Sequence, residues 1–167
     1  LITFTLNGCA TLESPPWQSK VSALPPATSG LLPVVAANTS AKHGPDESAF
    51  MLLVRNDDAM NWRLALFDHA TTSIDVQYFI WQTDEAGILL FDRLLKAADR
   101  GVRVRMLVDD FLFAARDSRI AAMCAHPNFD IKIFNPGYVR DSTLAGLGEF
   151  FIYFKELNRR MHNKLLV

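Results

Sequence analysis

From Ser73 to Trp81 apolar and polar residues alternate. Ile74, Val76, Tyr78 and Ile80 fall on one face, and Asp75, Gln77, Phe79 and Trp81 on the other. A period of two, carried by β-branched and aromatic residues, predicts a strand. The spacing then changes. Leu90, Leu94 and Ala98, with Phe91 and Leu95, make one stripe at helical spacing. Asp84 is placed to cap the start of that helix and Gly101 to end it. Val102 to Val108 alternates again, with Arg103 and Arg105 on a face that must meet solvent or acidic groups. Asp117 to Ala125 reads as a helix and Asp130 to Phe134 as a short strand. Strand, helix, strand, helix, strand predicts βαβ units, so the expected fold class is α/β: a largely parallel mixed sheet flanked by helices. Upstream, Ser48 to His69 carries Leu53, Ala59, Trp62 and Leu66 at helical spacing and predicts one or two helices.

The segment before this pattern is different in kind. Residues 10–46 are rich in Pro, Ser, Ala and Thr, and Pro15, Pro16, Pro25, Pro26 and Pro33 interrupt regular structure. Such a stretch buries too little apolar surface to offset its ordering entropy and reads as a disordered tether. Residues 1–9 begin with an apolar run, Leu1 to Leu6, and continue Asn7-Gly8-Cys9. A small residue before a cysteine, straight after an apolar core, resembles a bacterial lipobox in which the cysteine is lipidated. Asn7 is unusual for such a site, and no basic segment precedes the apolar run. The expected organisation is therefore a signal-peptide remnant with a lipidation site at Cys9 (1–9), a linker (10–46) and one folded domain (47–167).

Composition narrows the chemistry. With 167 residues, half of them hydrophobic, and a net charge of −1, the chain holds one real core and lacks the basic balance of a nucleic-acid binder. Cys124 lies in an apolar helical run and is expected to act as a small buried hydrophobe. His43, His69, His126 and His162 are scattered, and neither cysteine has a histidine at ligand spacing, so no metal or other cofactor is expected. His69 and His126 read as helix-end or loop residues. Glu149 to Leu157 is an aromatic run, expected as a core helix, with a role at a site mouth against acyl chains as the alternative. Asp109 and Asp110 end the second strand, where the sites of parallel sheets gather, although a structural or capping role is the simpler expectation.

The last segment, Asn158-Arg159-Arg160-Met161-His162-Asn163-Lys164-Leu165-Leu166-Val167, ends in apolar residues and predicts a strand, which sets His162 and Lys164 on the same side. An imidazole can attack phosphorus and an ammonium can hold phosphoryl oxygens. A lone His-x-Lys says little, but Asn158 to Lys164 resembles the lead-in to the first His-x-Lys-x4-Asp motif of the phospholipase D superfamily. Ser73 to Trp81, Asp92 to Asp110 and Asn135-Pro136 stand at the matching upstream places. The resemblance covers residues 47–167 and is nearest the cardiolipin-synthase-like branch, C type. His162 matches the motif histidine and Lys164 the motif lysine. The motif aspartate would fall beyond Val167, so the chain resembles the N-terminal half of such an enzyme, cut inside its first motif.

The resemblance implies a two-step phosphodiester exchange without a cofactor. One motif histidine forms a phosphohistidine, and the other protonates the departing alcohol and deprotonates the incoming one. Either motif histidine fits either role. It further implies phospholipid as substrate, a membrane partner, no nucleic acid, and a second phospholipase D-like half that completes the site, without which the chain alone is expected to be inactive. The lipobox-like start places such a protein at the bacterial cell envelope, facing the periplasm. Hydrolysis of phospholipid or nucleic-acid phosphodiesters, or a non-catalytic half-domain, are the alternative readings.

Overall fold

Residues 22–113, 117–136, 152–157 and 159–167 are described by a computed structural model. In chain order the elements are α1 (Leu31–Ser40), α2 (Asn56–His69), β1 (Ser73–Trp81), α3 (Glu85–Asp99), β2 (Arg103–Phe113), α4 (Asp117–Cys124), β3 (Phe129–Phe134), a single helical turn α5 (Phe154–Leu157) and β4 (Lys164–Leu166). The strands form one sheet in the order β3-β2-β1-β4. β1 pairs in parallel with β2, and β2 with β3, while β4 runs antiparallel to β1. The α/β class and the mixed, mainly parallel sheet expected from the alternating pattern are both present.

The core explains the order of elements. Ile74 and Val76 of β1, Val104, Met106 and Val108 of β2, and Phe129 and Ile131 of β3 are buried on one face of the sheet. α3 covers that face with Leu90, Leu94, Ala97 and Ala98, and α2 adds Phe67. The small side chains of Ala97 and Ala98 let the helix approach the sheet closely. Leu95, expected on the same stripe, is 38% exposed and lies off it. The predicted stops of α3 are in place. Asp84 Oδ1 accepts the Gly87 N–H at 2.8 Å, and Gly101 takes φ 92° after the helix. Gly87 is required for a steric reason: a Cβ there would sit 1.8 Å from the Gln82 carbonyl oxygen.

Four expectations change. Leu31–Ser40 forms a helix inside the Pro-rich segment, because Pro33 falls in its first turn, where the missing N–H has no intrahelical partner anyway. Gly30 (φ 102°) precedes it, and the Thr71 hydroxyl ties the segment to the domain by donating to the Ser29 carbonyl at 3.0 Å. Residues 48–55 are not helical, and the helix starts at Asn56. Cys124 is exposed rather than buried, its Sγ 3.9 Å from the Ile131 carbonyl oxygen. Finally, β1 changes phase. The pairing of β1 with β2 shifts between Tyr78 and Ile80, so Trp81 is buried while Ile80 is 40% exposed. Trp81 packs edge-on against Tyr78 and Phe91, with ring centroids 5.4 and 4.8 Å apart.

Candidate active site

The polar face of the sheet is organised by charge. Arg105 forks onto both oxygens of Asp75 on the neighbouring strand, with Nε–Oδ1 at 2.6 Å. The Asp75 carboxylate raises the proton affinity of the Arg105 guanidinium above its ordinary value, against the opposing effect of partial burial. The shared face predicted for Arg103 and Arg105 thus meets an acidic partner at Arg105.

β4 forms at the free edge of β1 because Leu166 is apolar enough to pack against the core, opposite Val76, and the ladder continues through Gln77–Leu165 and Tyr78–Lys164. The Phe79 N–H donates to the Asn163 carbonyl at 2.9 Å, and Asn163 Nδ2 donates to Gln77 Oε1 at 3.1 Å. His162 and Lys164 therefore leave the chain on the same side, and their Nε2 and Nζ atoms lie 3.5 Å apart. Both side chains are exposed. Phe79, which strict alternation assigns to the opposite face, lies against them. Its ring is 4.7 Å from the His162 ring, and its centroid is 5.8 Å from Lys164 Nζ. The contact follows from the change of phase at Tyr78–Ile80. No regular alternation would have revealed it.

The chain entering this pair is tied to the sheet. Asp109, fully buried within β2, accepts the Met161 backbone N–H at 2.9 Å and faces Arg160 Nη1 at 3.2 Å. Asn135, at φ 49° just past β3, donates from Nδ2 to the Arg159 carbonyl at 2.9 Å. Sequence reasoning left Asp109 with a structural or capping role and assigned none to Asn135. The one available signal is two consecutive aspartates after an apolar run, where the sequence reading ends the strand, but β2 continues past them to Phe113.

The other predicted residues lie apart from this pair. His69 ends α2, and His126 follows α4, its Nε2 3.3 Å from Asp99 Oδ1. His43 lies 3.5 Å from Glu47. Among the described residues no group of three or more His, Cys, Asp and Glu is arranged to hold a metal ion, and no helix is long and apolar enough to cross a membrane. Of the aromatic run, Ile152, Tyr153 and Phe154 are 74%, 45% and 51% exposed, which corrects the core helix expected there; residues 149–151 lie outside the described residues. Cys9 lies outside them too.

An imidazole beside an ammonium on an exposed strand edge can engage a phosphodiester, the first as nucleophile or proton carrier and the second as a charge partner for phosphoryl oxygen. Over 141 residues, 84% of this chain and 28% of the relative, the sequence is 39% identical to cardiolipin synthase C of Escherichia coli (strain K12). It is 34% identical over its whole length to an uncharacterized protein of Helicobacter pylori (strain J99), covering 33% of that protein. The chain thus spans a third or less of the length of these relatives. Among solved structures, NucT from Helicobacter pylori matches with a TM-score of 0.47 at 15% identity, over 72% of this chain and 65% of that one. No protein-family model matches. Homology to a cardiolipin synthase over 84% of this chain supports a relationship to the phospholipase D superfamily.

Proposed function

We propose that the protein is a phosphatidyltransferase that forms cardiolipin from phospholipids, with His162 and Lys164 as one half of its catalytic set. The observation that carries this reading is the 3.5 Å approach of His162 Nε2 to Lys164 Nζ in a chain homologous to a cardiolipin synthase. One motif histidine attacks the donor phosphorus. The P–O bond to the departing alcohol breaks as the other histidine gives that oxygen a proton. The acceptor alcohol then loses its proton to the same base and attacks the phosphohistidine, which frees the first histidine. Lys164 balances the charge that gathers on the phosphoryl oxygens in both steps. The chemistry needs two histidines, and this chain carries one such motif, so a second motif must complete the site. By itself the 167-residue chain should not turn over.

The exposed run Ile152-Tyr153-Phe154, five residues before Arg159 in the sequence, supports a lipid rather than a soluble substrate, because exposed apolar side chains favour contact with acyl chains. Lipidation at Cys9 would hold the protein at the bacterial envelope, on the periplasmic side. The test is incubation of the natural full-length protein with phosphatidylglycerol vesicles. Release of glycerol with matching cardiolipin supports transfer. Phosphatidic acid in place of cardiolipin would make the protein a hydrolase. Absence of either product, with cleavage of a single-stranded oligonucleotide, would overturn the lipid reading.

A further inference from the structure

The segment that delivers His162 is held on both sides. After it, Lys164 enters the ladder opposite Tyr78, and the Asn163 carbonyl accepts the Phe79 N–H. Before it, three successive residues are held by the ends of two other strands: Arg159 through its carbonyl by Asn135, Arg160 through its guanidinium by Asp109, and Met161 through its N–H by Asp109.

We infer that Asp109 and Asn135 are positioning residues for His162, a two-strand clamp that sets where the imidazole stands relative to a phosphorus atom. The inference rests on the catalytic reading of His162. Asp109 is suited to this because it is 0% exposed. A buried carboxylate without partners is strongly disfavoured, so the chain keeps Arg160 and Met161 on it rather than let either drift. Its backbone is held as well, since Asp109 pairs with Phe134 of β3 at the end of the β2–β3 ladder. Asn135 adds a second fixed point. Its side chain reaches Arg159 because the residue turns the chain at φ 49°, a conformation asparagine tolerates better than most residues. Asp109 and Asn135 hold the backbone of Met161 and Arg159, so both act on His162 through the chain, and the expected signature is a loss in turnover with little change in substrate binding.

Two variants in the natural full-length protein test this, with His162→Ala beside them. Asp109→Asn is nearly isosteric and removes the charge that holds Arg160. Asn135→Gly keeps the turn, since glycine accepts a positive φ, and removes only the side-chain reach to Arg159. Kinetics on phosphatidylglycerol vesicles should show kcat lowered by roughly 10-fold to 100-fold for Asp109→Asn and by a smaller factor for Asn135→Gly, with KM within about threefold of wild type, as for a displaced but present reactive group. Amide hydrogen exchange should accelerate at residues 160–163 in both variants and stay unchanged in the centres of β1 and β2. Wild-type kcat in both variants, with His162→Ala inactive, would overturn the clamp and leave the catalytic reading standing. Should His162→Ala keep its activity, the catalytic reading falls and exchange alone decides: faster exchange at 160–163 upholds the clamp on the backbone, and unchanged exchange overturns it.

Discussion

The ring of Phe79 lies 4.7 Å from the ring of His162, tilted by 55°, although the two residues stand on different strands and the alternation of β1 assigns Phe79 to the other face. The irregular pairing between Tyr78 and Ile80 makes the contact possible. A tilted aromatic pair of this kind is worth about 0.5–1.5 kcal/mol beyond its buried area, enough to bias the imidazole among its rotamers. Replacing Phe79 by Leu keeps the bulk and removes the ring. Turnover in the full-length protein should fall by roughly twofold to tenfold, and Phe79→Tyr should recover most of it. Equal rates in the leucine variant would show that the ring is packing only.

His162→Ala should abolish phosphodiester exchange, with a loss of roughly 100-fold to 10,000-fold or more. Lys164→Ala should lose about 100-fold to 1,000-fold through the missing phosphoryl contact. Both side chains are exposed, so thermal unfolding should move little in either variant. Initial-rate assays paired with circular dichroism melts separate the two effects. Substantial activity in His162→Ala removes that residue from the mechanism.

Gly87→Ala should destabilise the fold strongly even though alanine is the better helix former. The added methyl would collide with the Gln82 carbonyl, so the turn between β1 and α3 would have to open and the Asp84 cap would be lost. A cost above about 2 kcal/mol is expected from these two effects together, read as a lower urea midpoint. A wild-type midpoint would mean that the turn adjusts freely.

The Asp75–Arg105 pair links β1 and β2 on the polar face, where the two side chains are 26% and 24% exposed. A double-mutant cycle with Asp75→Ala and Arg105→Ala should give a coupling of about 1 kcal/mol, above most surface pairs because the contact is two-pronged. The coupling should shrink as salt is raised. Additive single effects would show the pair to be incidental to stability.

Cys9→Ala should end incorporation of a clickable fatty acid in a bacterium that expresses the protein, and should shift it from the membrane to the soluble fraction. Equal labelling of wild type and variant counts against the lipobox resemblance of Leu6-Asn7-Gly8-Cys9.

Much of this arrangement is legible in the amino-acid sequence alone. The strand from Ser73, the Asp84 cap, the Gly101 stop and the shared side of His162 and Lys164 all follow from local rules, a period of two or 3.6 and the steric needs of helix ends. What escaped depends on distant partners or on a break in the period. The irregular pairing at Tyr78–Ile80 turned Trp81 inward and brought Phe79 to the histidine, and no residue in Tyr78-Phe79-Ile80 announces it. The contact of Asp109 with Met161 joins residues 52 positions apart. α1 escaped because proline was read as a breaker, although Pro33 stands in the first turn, where it is tolerated.

β4 reaches its place beside β1 from far along the chain. Asn163 meets Gln77 across 86 residues, whereas Arg105 meets Asp75 across 30. Closing the longer loop costs more chain entropy, which the contacts of a three-residue strand and the tethers to Asp109 and Asn135 offset. The edge that carries His162 is therefore expected to form late in folding: the β1–α3–β2 unit can form as a local nucleus while His162 is still far from Phe79. A newly made chain would pass through a stage with a built core and His162 not yet in place.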